Sequence, residues 1–105
     1  FFTDAEALIA RLTPQAVPLL FGHIGEGNLH LNVLRCDADG EAEIYPAMMK
    51  LIAAHGGNVS SEHGVGTIKR GYLTMSRRPA DIAVMRTIKT ALDPTGYLNP
   101  AVLFD

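Results

Sequence analysis

Four residues could assemble reactive chemistry: His23, His30, Glu62 and His63. The first two lie in Phe21-Gly22-His23-Ile24-Gly25-Glu26-Gly27-Asn28-Leu29-His30-Leu31-Asn32. Val17 to His23 is a short apolar run that reads as a strand, beginning at an edge because Pro18 lacks a ladder donor. Leu29 to Arg35 alternates, with Leu29, Leu31 and Val33 on one face and His30 and Asn32 on the other. A two-residue turn at Glu26-Gly27 would pair Gly25 with Asn28, Ile24 with Leu29 and His23 with His30. Directly paired residues share a face with their Cβ atoms roughly 5 Å apart. Two imidazoles so placed can hold one divalent metal. Register is the weak point, since a one-residue slip sends the histidines to opposite faces, and Glu-Gly is a poorer tight turn than Asn-Gly. Ordinary hydrogen-bonded strand histidines are the competing reading.

The second pair lies in Gly56-Gly57-Asn58-Val59-Ser60-Ser61-Glu62-His63-Gly64-Val65-Gly66. Glu62 could supply a third metal ligand, and His63 would stay free as a general base, because a metal-bound imidazole cannot also take a proton. Neighbouring strand residues point to opposite faces, so both can serve one centre only where the strand ends. Gly64 and Gly66 permit such a bend. A solvated turn with a surface ion pair is the plainer alternative. The segment is no dinucleotide fingerprint, because the third glycine would fall on Lys69.

The elements that must position these residues follow from periodicity. Residues 4–12 read as a helix through Leu8, Ile9 and Leu12, stopped by Pro14. Thr3 and Glu6 have the spacing of a capping box. A second helix, roughly 42–55, carries Ile44, Met48 and Ile52 on one stripe, with Pro46 tolerable only in its first turn. His55-Gly56-Gly57 ends it. Asn58 to Glu62 reads as a third strand, and Thr67 to Met75 as irregular or a short helix. A helix from Pro79 through Ile82, Met85, Ile88 and Leu92 stops before Asp93-Pro94, and an extended tail runs from Gly96 to Asp105. This predicts an α+β fold of ferredoxin-like type: a small antiparallel sheet covered on one face by helices, with His30 and Asn32 on the other.

The 105 residues suffice for one small domain, and 48% apolar with 19% charged residues favours a folded globule. A net charge of −2 with no basic run argues against nucleic acid. The single cysteine, Cys36, excludes an internal disulfide, reads as a small strand-end residue, and fits a reducing, cytoplasmic setting. The chain opens on Phe1 without an initiator Met, which reads as a piece of a longer polypeptide or a trimmed leader.

Three segments together resemble the FAD-linked oxidases of the vanillyl-alcohol-oxidase superfamily, in the branch of D-lactate dehydrogenase, the glycolate oxidase flavoprotein subunit and D-2-hydroxyglutarate dehydrogenase. They are Gly22 to His30, Ser61 to Gly66, and Leu92-Asp93-Pro94-Thr95-Gly96-Tyr97-Leu98-Asn99-Pro100. The family often has Asp where Glu26 stands. The resemblance implies His23, His30 and Glu62 as ligands of zinc or manganese, His63 as catalytic base, Asn32 facing the substrate and Asn99 near the cofactor. It implies oxidation of a 2-hydroxyacid of D configuration to a 2-oxoacid, with FAD taking the hydride and an electron acceptor that the residues do not name. FAD would be bound mainly by an upstream domain of the same protein, against which the tail would pack, so residues 1–105 would form the metal- and substrate-binding end and be inactive alone. Lys69 and Arg70 are candidate helpers for the substrate carboxylate, though solvated charges are the simpler reading. Exposed apolar surface would leave room for self-association, and peripheral association with a membrane fits the same branch. Two alternatives stay open: a stand-alone metal-binding or sensor module without redox activity, and an interaction domain without a metal.

Overall fold

Strands β1 (Val17–His23) and β2 (Asn28–Leu34) pair antiparallel as a two-stranded sheet in a computed structural model that describes residues 1–104. Helix α1 (Phe2–Leu12) precedes the hairpin and α2 (Ala38–Ala54) follows it. These elements form one compact unit, Phe1–His55, and the chain from Gly56 onward forms a second.

The first unit is built as an apolar strand face on two helices. Ala5 and Ile9 of α1 and Ile44 and Met48 of α2 are buried together, and Leu31 and Val33 of β2 pack against them. Helix α1 starts earlier than its capping-box spacing predicts. Phe1 is the N-cap, the Ala5 amide donates to the Phe1 carbonyl at 2.8 Å, and Thr3 lies inside the helix. The gain is packing: Phe1 joins the core cluster and meets the His55 ring edge-on at 5.6 Å. His55 caps α2, where its Nε2 sits 2.9 Å from an Asp4 carboxylate oxygen, and Gly56 follows in the left-handed region at φ 71°.

Helix α2 also begins sooner than expected, because Asp37 caps it by accepting the Gly40 amide at 2.8 Å. Pro46 therefore lies in the interior rather than in the first turn. The missing amide deprives the Ala42 carbonyl of its helical partner, at a cost of about 3 kcal/mol. Burial of Ile44, Met48 and Met49 on the same helix, at about 1.5–3 kcal/mol each, outweighs that cost.

In the second unit the strand predicted over 58–62 does not form. The side chain of Asn58 accepts the Ser60 amide at 3.2 Å, and the Ser60 hydroxyl donates to the Glu62 carbonyl at 3.0 Å and to that of Gly64. Such local side-chain bonds compete with a ladder and favour a turn. Short helices α3 (Gly66–Lys69) and α4 (Leu73–Ser76) flank a 3₁₀ turn, and α5 spans Pro79–Leu92. Pro79 opens α5 as expected, while Asp81 accepts the Arg78 backbone amide at 3.2 Å and grips its guanidinium. The fold is thus α+β with one hairpin among the described residues, and the additional strands of a ferredoxin-like sheet are not seen there. No helix of the described residues is long and apolar enough to cross a membrane.

The tail is folded back in turns rather than extended, with Asn99 and Ala101 both at positive φ; Asp105 lies outside the described residues. Asp93 holds the fold-back. Its buried carboxylate takes the Lys89 ammonium and accepts the amides of Tyr97 at 3.0 Å and Leu98 at 2.9 Å. Arg70, a candidate substrate helper, instead donates to the Ala101 carbonyl. The Lys89 hydrogen bond holds the Asp93 carboxyl below the ordinary carboxylate range, and the two amides add to this against the opposing effect of burial. A depressed folded pKa means the anchor is fully present above the ordinary aspartate value of about 3.9 and is lost as pH falls through the lower folded value. Exchange protection of the Tyr97 and Leu98 amides should therefore fall at acidic pH, and Asp93→Asn should remove that pH dependence. Equal acid sensitivity in both proteins contradicts the anchor.

Candidate functional site

The hairpin brings the two histidines together by a register other than the one expected. Phe21 pairs with His30, Gly22 with Leu29 and His23 with Asn28, so the predicted pairs of His23 with His30, Ile24 with Leu29 and Gly25 with Asn28 do not form. The loop is four residues long rather than two. A 3₁₀ turn over Ile24–Glu26 closes on Gly27, whose φ of 67° suits glycine and whose amide donates to the Ile24 carbonyl at 3.2 Å. The partner of His30 thereby moves by two positions along β1. Side chains alternate with a period of two, so an even displacement preserves the face. His23, His30, Asn28, Asn32 and Phe21 consequently share one side of the ladder, and Leu29, Leu31 and Val33 the other.

On that shared face the His23 and His30 rings meet edge to face, with centroids 6.1 Å apart and planes at 86°. The Phe21 ring stacks on His30 at 5.2 Å and 16°. The Asn28 amide nitrogen lies 3.5 Å from His23 Nδ1. Asn32 is exposed on the same face. Gly22 makes the close approach of the strands possible, since its φ is 149° and a Cβ there would press on the Asn28 carbonyl and sit 3.0 Å from the Leu29 Cα.

Glu62 and His63 belong to the second unit. They adjoin in sequence, yet His63 Nε2 lies 3.2 Å from a Glu62 carboxylate oxygen. The backbone explains this convergence: His63 itself takes a left-handed φ of 60°, followed by Gly64 at 76° and Gly66 at 60°. A non-glycine residue there is uncommon and strained. The bend expected at the glycines thus begins one residue earlier, at the histidine. His63 is largely exposed and Glu62 half-buried, so the pair contributes little to stability.

Asn99 lines an open cleft of about 320 Å³ in the second unit, together with Arg86, Lys89 and Phe104. Arg86 lies over the Phe104 ring at 4.3 Å. The Cys36 thiol is pushed up by burial and then by Asp37 and Glu41, a direction that favours the thiol over the thiolate. Two roles escaped the sequence reading. The ring contact of Phe21 was not foreseen, and Asp93 was read only as a helix stop; an aromatic two residues before His23 and an Asp before Pro-Thr-Gly were the available signals.

Residues 1–103 match the model of the family described as FAD linked oxidases, C-terminal domain. The chain is 38% identical to a D-2-hydroxyglutarate dehydrogenase of Stutzerimonas stutzeri, over 99% of this chain and 24% of the relative. It is 42% identical to one of Xanthomonas citri pv. viticola, over 100% of this chain and 24% of the relative. A mitochondrial D-2-hydroxyglutarate dehydrogenase of Arabidopsis thaliana is 38% identical over 89% of this chain and 17% of its own length. The chain therefore spans about a quarter or less of the length of these curated relatives.

Because Gly22 sets the ladder, Gly22→Ala should cost about 2 kcal/mol or more from the left-handed backbone and the carbonyl clash. Thermal melting of the two proteins reads this cost, and the His23 and His30 ring resonances should move with it. A variant with unchanged melting temperature and unchanged ring shifts would show that the ladder does not need this glycine.

Proposed function

The chain belongs to the family of FAD linked oxidases, C-terminal domain, and on that premise we propose that it is the metal- and substrate-binding end of an FAD-dependent 2-hydroxyacid dehydrogenase. The observation that carries this reading is the convergence of His23 and His30 on one strand face beside Asn32. Their donor chemistry fits a zinc or manganese ion: two imidazoles share a face, and Glu62 is the third ligand we propose. Such an ion, when bound, lowers the pKa of a coordinated hydroxyl. FAD, when bound by another part of the protein, takes up the hydride.

The chain's own residues then have distinct tasks. His23 and His30 would hold the ion from the hairpin. Glu62 would be the third ligand. His63, whose Nε2 lies 3.2 Å from a Glu62 carboxylate oxygen, would take the substrate hydroxyl proton. Asn32 offers an amide to the substrate from the histidine face. Asn99, in its cleft, would face the cofactor. The relatives' names make D-2-hydroxyglutarate the first substrate to test.

An exposed apolar stripe supports the reading that the chain works within a larger protein. Val84, Ile88 and Leu92 recur at helical spacing on α5 and are 58%, 54% and 77% exposed. Tyr97 and Leu98 beyond them are 84% and 63% exposed. Such a stripe is expected to be covered, and the flavin-binding part of the protein is the surface we propose for it. The hairpin would then belong to a larger ferredoxin-like sheet.

The test uses the polypeptide that carries this chain together with a flavin-binding part. His63→Ala should lower turnover of D-2-hydroxyglutarate by about 10²–10⁴-fold while FAD absorbance is retained. His23→Ala and His30→Ala should each reduce the metal content of the purified protein. Full activity of the His63 variant overturns the base, and equal metal content in all variants overturns the site.

A further inference from the structure

We infer that Phe21 is a positioning residue for His30, fixing the plane in which that imidazole offers its lone pair; this rests on the metal site proposed above. Phe21 is the direct cross-strand partner of His30, and their rings stack at 5.2 Å with 16° between planes. The final torsion of a histidine is soft and broad, so a strand backbone alone does not set the ring. A flat neighbour on the adjacent strand does.

Stacking has a particular value at a ligand. An imidazole coordinates through a nitrogen lone pair that lies in the ring plane, so the plane determines where an ion can sit. A hydrogen bond could also orient the ring, but it occupies a nitrogen, whereas a stack occupies neither. The Phe21 face covers one side of His30, and His23 approaches with its plane at 86°, so the two rings flank His30 without lying parallel to one another. Phe21 is 54% exposed, on a strand face that carries the exposed Leu19 and Leu34 as well as Asn28 and Asn32, and of the apolar residues there it is the one paired with an imidazole. Leucine would suit the ladder as well by apolarity but would remove the flat face on which the His30 ring stacks.

The experiment is zinc titration calorimetry of the 105-residue chain and of its Phe21→Leu and Phe21→Tyr variants, with His30 ring proton shifts recorded for each. Phe21→Leu should weaken zinc binding by about two- to tenfold, the worth of one aromatic pair. Its His30 ring protons should also lose the ring-current shift. Phe21→Tyr retains a flat ring and should match the wild type in both measurements. Should Phe21→Leu fail to fold, Phe21→Met serves as the second flexible replacement and should show the same weakening. A Leu or Met variant that binds zinc as tightly as the wild type overturns the positioning role, and so does a Tyr variant as weak as Leu. Absence of zinc binding by the wild type overturns the metal reading itself, and the role of Phe21 with it.

Discussion

The antiparallel ladder between β1 and β2 is the constraint on which the first unit depends. A two-stranded hairpin is marginal in water by itself. Here one face is secured by Leu31 and Val33 against Ala5, Ile9, Ile44 and Met48. Once those two side chains face inward, the pleat leaves His30 and Asn32 no choice but the opposite face. The chemistry of the hairpin is thus a consequence of how its core side is buried. Gly22 belongs to the same constraint, since only a residue without Cβ lets β1 lie this close to Asn28 and Leu29.

The second unit reaches convergence by the opposite route. Glu62 and His63 are sequence neighbours, which a strand would separate. Their meeting depends on abandoning regular structure, through the polar captures by Asn58 and Ser60 and the left-handed backbone at His63. A residue held in such a conformation persists only where its surroundings over-determine it. The Ser60 hydroxyl, bonded to carbonyls on both sides of His63, supplies that determination. The histidines of the first unit are therefore presented by a ladder, and the Glu62–His63 pair of the second by a strained bend.

Much of this was legible in the residues, and the failures have physical causes. Alternation showed which hairpin residues share a face, because parity survives any even error in register. The pairing itself was not legible, because Glu26-Gly27 resembles a two-residue turn while Gly27 actually closes a 3₁₀ turn begun at Ile24. Asn58 to Glu62 holds one strand former, Val59, and its Asn and Ser side chains bond the local backbone. Thr3 and Pro46 misled for a shared reason: local capping and breaking rules were overridden by the burial of Phe1 and of Ile44, Met48 and Met49. The distinct tasks of Glu62 and His63 came from the family resemblance. The geometry adds that these neighbours touch through His63 Nε2.

The two faces of the hairpin also differ in what they tolerate. On the inner face volume decides, because Leu31 and Val33 fill space against helices and a lost methylene leaves a cavity. On the outer face orientation decides. The His23 and His30 rings meet edge to face, and Phe21 stacks on His30, so ring planes matter there more than filled volume. Phe21 belongs by residue type to the inner face and by position to the outer one. It stands at the ladder position where a flat apolar surface meets an imidazole, and that coincidence distinguishes it from Leu19, which is also exposed but pairs with Asn32.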